Sequence, residues 1–405
     1  MKPRRLYIDN AATSFPKPPS VLEAMTRYAT ELGASAGRGG YAEAMESAAI
    51  LSDCRRQLRK LFNGERDEHF IFTLNCTDAL NIAIKGLIDP QTGGHAICTN
   101  IDHNSILRPI NAMAERRWIS QTRVPVDSKT GLVDPSDIRK AIRKDTKLIA
   151  MTHASNVTGT VQTIREIGAM AREANVPLIV DAAQSAGHVP IDVQADNIDL
   201  LAAPGHKALL GPLGTGLLYV RPDIEKILQP FREGGTGTIS EEPRQPDFMP
   251  DRYESGSHNA IGIAGLAAGV KWILEQGIEK LAAHDLDLVR TFLDGTSDVE
   301  GLRLFGPPGV KHRLGVFSVR IEGFDPQELS GVLEQSYGIL TRSGIHCAPF
   351  AHETIGTGAH GGTTRFSFGP FLSKQDIKFA TDALAEIAMN SAPSVVPSPG
   401  TAGEV

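Results

Sequence analysis

Short, continuously apolar runs alternate along the chain with longer stretches in which apolar residues recur every three or four positions. The clearest runs lie at 178–180, 198–203 and 216–220, each bounded by turn-forming or charged residues. Runs of this length and setting read as buried strands. Further strand-like runs precede them at 69–74, 95–99, 122–126 and 147–152. Helical periodicity marks 42–62, 76–88, 103–117, 135–142 and 162–175. Seven strands alternating with helices predict an α/β domain with a mostly parallel sheet covered on both faces, with room for one antiparallel member.

The flanks differ in texture. Upstream, IDNAATSFPKPP reads as an extended arm whose prolines open a helix near Ser20, and 33–41 is too glycine-rich for a helix. Downstream, 230–258 is rich in Gly, Pro, Glu and Arg and predicts an irregular functional loop. A helix at 259–276 carries GIAGLAAGV, a small-residue run suited to close packing, and another covers 279–294. Strands near 302–305, 315–321, 339–342 and 363–368, with helices at 326–337 and 373–389, predict a smaller α+β unit. The expected division is an arm (1–19), a large domain (20–258), a connecting helix with a small C-terminal domain (259–390), and a tail (391–405) of disordered composition.

Composition narrows the classes. At 405 residues and 41% hydrophobic content, the chain is long enough for two domains and a substantial core. A net charge of −6 without a long basic run argues against nucleic-acid binding. No apolar run reaches the roughly 18 residues of a membrane span. The first apolar segment, 6–8, is too short for a signal peptide, so the expected compartment is the cytoplasm. The four cysteines, 54, 76, 98 and 347, form no CxxC, which argues against a disulfide framework and a zinc site, so no metal is expected.

The candidate chemistry sits where strands end. The run at 178–180 ends on Asp181, and 198–203 leads into Pro204-Gly205-His206-Lys207. Open α/β sheets keep their ligands at such strand ends. A carboxylate and a lysine there meet the needs of pyridoxal phosphate (PLP): an amine for a Schiff base and an acid for the pyridinium nitrogen. Asn75-Cys76-Thr77 lies between a strand and a helix start, where free N–H groups and a hydroxyl suit a phosphate. No G-x-G-x-x-G opens a βαβ unit, as a nicotinamide-dinucleotide enzyme would require. Cys54, Cys76 and Cys98 read as buried apolar residues. Cys347 differs, because RSGIHCAPFAH sets it among Gly, His and Pro, and Arg342 and His346 would favour its thiolate.

The segments DNAATSFPKP, FTLNCTDALN, DHNSIL, SNVTGT, DAAQSAGH, PGHKALLGPLGTG, RYESGSHN and RSGIHCAP follow in this order from residue 9 to residue 349. With them the chain resembles class V (fold type I) PLP-dependent enzymes, and within that class the cysteine desulfurases of the selenocysteine-lyase-like group. The resemblance implies a fold type I transferase, a homodimer, and L-cysteine turned into L-alanine. It makes Lys207 the Schiff-base lysine and Asp181 the partner of the pyridine nitrogen. Gln184 and Asn156 would contact the phenolic oxygen, and His103 would stack on the ring. Cys76, Thr77 and His206 would meet the phosphate, and Ser257 would reach the phosphate of the neighbouring subunit.

In the same resemblance Cys347 attacks the substrate sulfur and carries it as a persulfide for a sulfur-acceptor protein. Arg365 would hold the substrate carboxylate through its planar fork, with Arg342 and Arg38 as secondary candidates. The rival readings are a selenocysteine lyase, another class V C–S lyase or aminotransferase, and a non-catalytic sulfur-transfer scaffold. Three departures bear on cofactor affinity and substrate preference. Pro204 stands where many relatives carry Ser or Thr, and Gly37 where relatives of one kind place a histidine. After Arg365 comes Phe366-Ser367-Phe368-Gly369-Pro370, without the family's asparagine-containing turn.

Overall fold

The computed structural model describes residues 5–37 and 39–391. The Arg38 candidate and the tail from 392 onward therefore lie outside the described residues. The arm holds β1 (Leu6–Tyr7) and leads into α1 (Pro19–Arg27) and α2 (Ala42–Phe62). Alternation follows with β2 (Phe70–Thr73), α3 (Cys76–Gly86), β3 (His95–Thr99), α4 (Asn104–Glu115) and β4 (Ser120–Val124). It continues through α5 (Pro135–Ala141), β5 (Thr146–Thr152), α6 (Ile164–Glu173), β6 (Leu178–Asp181), β7 (Leu200–Pro204) and β8 (Gly216–Val220).

These strands form the expected seven-stranded sheet, in the order β2-β8-β7-β6-β5-β3-β4. Pairing is parallel from β7 to β4, and β8 runs antiparallel to both β7 and β2. Both faces are buried, which is why these strands read as unbroken apolar runs rather than alternating ones. In β5, Ile149 and Met151 join one core layer while Leu148 and Ala150 join the other. Full burial of each such large side chain contributes about 1.5–3 kcal/mol. The strand predicted at 122–126 lies two residues earlier, because its register sets Ser120 beside His95 and Pro125 has no N–H to donate.

Beyond β8 come α7 (Ala260–Gln276), α8 (Ile278–Thr296), β9 (Leu302–Phe305), β10 (Val316–Ile321), α9 (Pro326–Tyr337), β11 (Ile339–Leu340) and β12 (Arg342–Gly344). The described chain closes with α10 (Pro349–Thr354), β13 (Thr363–Ser367) and α11 (Lys374–Ser391). An antiparallel sheet, β12-β13-β10-β9, organises this region around Phe292, Phe317 and Phe366. The single strand predicted at 339–342 is in fact two. Ile339 and Leu340 pair with Leu6 and Tyr7 of the arm, and after Thr341 the chain pairs with β13 instead. An apolar run shows that a strand exists but not which partner it takes.

The small residues of α7 do pack closely: a Cβ on Gly269 would lie 2.5 Å from the Leu209 carbonyl oxygen. Among the described residues no single helix is long and apolar enough to cross a membrane; α7 and α8 meet that length and composition only as a pair bent by 82°. Residues 230–258 contain neither helix nor strand. Their C-terminal end is pinned by a buried ion pair, Arg55 Nη1 to Glu254 Oε1 at 2.7 Å and Nη2 to Oε2 at 2.6 Å. Glu254 Oε1 also accepts the Phe72 N–H at 2.6 Å. Removing one partner of such a pair strands the other charge, so Glu254→Ala is expected to cost about 3–5 kcal/mol in denaturant unfolding. A cost below about 1 kcal/mol would show that the pin is dispensable.

Candidate active site

A pocket of about 110 Å³ opens at the carboxyl ends of β6 and β7, as open α/β sheets dictate. It gathers every cofactor candidate named from the sequence except Ser257: Cys76, Thr77, His103, Asn156, Asp181, Gln184, His206 and Lys207. Asp181 ends β6 and is 2% exposed. Its Oδ1 accepts the Ala183 N–H at 2.9 Å and the Cys76 S–H at 3.4 Å, while Oδ2 has no donor among the described residues. Burial raises the Asp181 carboxyl above its ordinary range, against the Ala183 N–H, Lys207 and Cys76. Burial likewise lowers the proton affinity of the Lys207 amine, with Asp181 opposing and Arg365 and Arg342 reinforcing the effect.

Local geometry explains how Lys207 reaches the pocket. The turn after β7 closes through Leu210 N–H to the Lys207 carbonyl at 2.8 Å and Gly205 N–H to the Thr215 carbonyl at 2.8 Å. Only glycine fits at 205, where a Cβ would lie 2.1 Å from Thr215 Oγ1. The His206 carbonyl accepts the Ser14 N–H and the Lys17 amine, both at 3.1 Å, so the arm is tied to this turn. His206 Nδ1 is buried without a partner, and burial followed by Lys207 pushes its ring down to about 4.

At the pocket's other wall, Asn75 caps α3 by accepting the Asp78 N–H at 2.9 Å. Cys76 and Thr77 then form the first turn, at the positive end of the helix. Thr77 Oγ1 lies 2.8 Å from Ser105 Oγ. Burial and then Asp181 push the Cys76 thiol well above its ordinary value, so it stays an S–H donor to the carboxylate. His103 caps α4, its Nδ1 accepting the Ser105 N–H at 3.1 Å, and burial followed by Lys207 lowers it to about 4. Gln184 Nε2 donates to the Ala11 carbonyl at 3.1 Å, another tie to the arm.

The C-terminal region supplies the remaining candidates. Arg365, on β13, is 1% exposed. It gives Nη2 to Asp9 Oδ1 at 2.6 Å and Nη1 to the Asn156 carbonyl at 3.3 Å, and its Nε is buried without a partner. Asp9 is the functional neighbour that sequence reasoning missed. It lies in the DNAATSFPKP motif, 356 positions away, and only the fold brings it to Arg365. Asn156 Nδ2 donates to the His346 carbonyl at 2.6 Å, and the Asn104 N–H donates to the Cys347 carbonyl at 2.9 Å.

Cys347 is the exposed one of the four cysteines. It and His346 both adopt left-handed backbone, with φ of 62° and 51°. Non-glycine residues hold such angles only where surroundings enforce them, and the two clamped carbonyls do so here. Cys347 lies with His103 and Thr77 in a second cavity that adjoins the first.

One expectation needs revision. His346 does not supply positive charge to Cys347. It is 4% exposed, its Nε2 bonds the Thr363 carbonyl at 3.1 Å, and burial pushes its ring down to about 2, so it is neutral. Arg342 is exposed on β12, set beside Arg365 in register. Arg365 is not a free guanidinium, since Asp9 already faces it. Ser257 is exposed and lines a different cavity with Glu254 and Asn259.

The aminotransferase class-V family model matches residues 6–379, and the chain belongs to that family. A protein of Methanothermobacter thermautotrophicus named probable cysteine desulfurase is 35% identical over 386 residues, covering 95% of this chain and 94% of its own. Another of the same name, from Pyrococcus abyssi, is 32% identical with 94% of each chain covered. Among solved structures, the apo cysteine desulfurase of Thermococcus onnurineus matches with a TM-score of 0.88 at 30% identity over 95% of each chain.

A buried neutral histidine makes stability depend on pH. The folded-state value of His346 lies below its unfolded value, so the fold binds fewer protons than the unfolded chain and loses stability as pH falls below about 6.5. Between pH 7 and pH 5 this residue alone is expected to account for a loss on the order of 2 kcal/mol. Urea midpoints of the protein and of His346→Gln compared across that range test it; a pH profile unchanged by the substitution would contradict neutral burial.

Proposed function

We propose that the chain is a PLP-dependent cysteine desulfurase that converts L-cysteine to L-alanine and receives the sulfur on Cys347. The observation that carries this reading is Cys347 itself, an exposed thiol on a clamped left-handed turn that adjoins the pocket of Asp181 and Lys207. The names of the relatives point the same way.

The residues present fit PLP. Asp181 keeps Oδ2 free for a pyridinium N–H, Lys207 offers an amine of lowered proton affinity, and His206 Nδ1 is buried and unpartnered. Cys76 and Thr77 set the start of α3 against the pocket for a phosphate. When bound, PLP supplies an electron sink for the substrate Cα.

The chain's own groups supply the rest. Lys207 carries the Cα proton, a task for which an amine of reduced proton affinity is suited. Asp181 would hold a proton on the ring nitrogen of the cofactor through its open Oδ2. Arg365 orients the substrate carboxylate, with Asp9 and the Asn156 carbonyl fixing its plane and Nε left unpartnered. Cys347 attacks the substrate sulfur: a new S–S bond forms, the Cβ–S bond breaks, and its electron pair returns to the carbon skeleton, which is protonated to alanine. The reading also includes a homodimer in which Ser257 serves the neighbouring subunit, and a cytoplasmic location.

Two variants separate this reading from its rivals. Cys347→Ala should keep the visible absorption of bound cofactor yet lose alanine formation from L-cysteine. Lys207→Ala should lose turnover by at least about 100-fold and change the absorption as well. Cysteine turnover undiminished in Cys347→Ala would sink the desulfurase assignment, and absence of any cofactor absorption in the unaltered protein would favour a non-catalytic scaffold.

A further inference from the structure

We propose that the groove beside Cys347, between α3 and α4, binds the sulfur acceptor, and that this acceptor is a small thiol carrying carboxylate charge. The inference rests on the desulfurase reading and adds the chemistry of the second substrate. The groove is open to solvent and offers about 370 Å³, within the size range of small-molecule sites. Asn81, Lys85, Arg108, Pro109 and Ala112 line it, with Cys347 at its wall and no Asp or Glu among the lining residues. Arg108 is exposed and forms no ion pair among the described residues. The Lys85 amine lies 4.8 Å above the Phe231 ring rather than against a carboxylate. Two cations without acidic partners among the described residues, around the one exposed thiol of a chain whose net charge is −6, form a local field that favours an anion.

The clamped loop selects the size of the acceptor. The carbonyls of His346 and Cys347 are both hydrogen-bonded to the large domain, by Asn156 and by Asn104. Cys347 therefore does not swing out to a distant partner, and the acceptor thiol must enter the groove. The transfer balances without an added oxidant or reductant. The acceptor thiolate attacks the outer sulfur of the Cys347 persulfide, a new S–S bond forms on the acceptor, and the bond to Cys347 breaks. Cys347 leaves as the thiolate, and the outer sulfur keeps its proton.

The test compares mercaptosuccinate, a dicarboxylate thiol, with neutral 2-mercaptoethanol in the holoenzyme and in the K85E/R108E variant. Single-turnover alanine formation from L-cysteine, measured before any acceptor is added, should be equal in both proteins. In multiple turnover, the unaltered enzyme should half-saturate with mercaptosuccinate at about one-tenth the concentration needed for 2-mercaptoethanol. The variant should lose that preference, about tenfold, with 2-mercaptoethanol unchanged, and salt near 1 M should erase it by screening. Equal use of the two thiols by the unaltered enzyme, or turnover restored only by a protein acceptor, would overturn the groove proposal alone. Absence of single-turnover alanine in the unaltered enzyme would overturn the desulfurase reading beneath it.

Discussion

A carboxylate buried at a strand end is costly unless positive charge or hydrogen-bond donors face it. Asp181 is in that position, and much of the large domain is arranged to satisfy it. The parallel pairing of β6 with β7 sets Asp181 beside Ala202, and the turn that follows β7 brings Lys207 into the same pocket. The start of α3 adds the Cys76 S–H, which with the Ala183 N–H occupies one carboxylate oxygen and leaves the other open. Burial at once raises the acid and weakens the base, so each group is poised for proton chemistry that neither would perform in water.

The second half of the site hangs on one residue of the SNVTGT segment. The Asn156 carbonyl holds the Arg365 guanidinium, and its side chain holds the His346 carbonyl and so the turn that presents Cys347. The Arg365 guanidinium and the turn of Cys347 are thus tied to the same loop of the large domain. Asp9 completes the arrangement from the N-terminal arm, which is itself fastened to the turn of Lys207 through Ser14 and Lys17. The arm and the C-terminal region are thus both hydrogen-bonded to residues that line the pocket.

The parts legible in the sequence were those dictated by local pattern. Buried strands of a two-faced parallel sheet read as apolar runs, and strand-end Asp181 and Lys207 followed from them. The helix start at Asn75 was legible for the same reason, because capping is a local rule. What escaped depended on contacts between distant segments. Nothing near Arg365 announces Asp9, and nothing in RSGIHCAP says that the His346 ring turns into the core and loses its charge, while Arg342 stays exposed. The break at Thr341 was hidden because a run of strand formers does not name its partner strands. Cys76 was rightly read as buried, but its bond to Asp181 needs the whole sheet between them.

On the proposed function, the large domain and the C-terminal region together take sulfur from L-cysteine onto Cys347. The most direct measurement is mass spectrometry of the Cys347 peptide after the holoenzyme has consumed less than one equivalent of L-cysteine, with alanine counted in parallel. One added sulfur on Cys347 is expected for each alanine formed. Alanine appearing while Cys347 stays unmodified, with the sulfur on another cysteine or released directly, would contradict it.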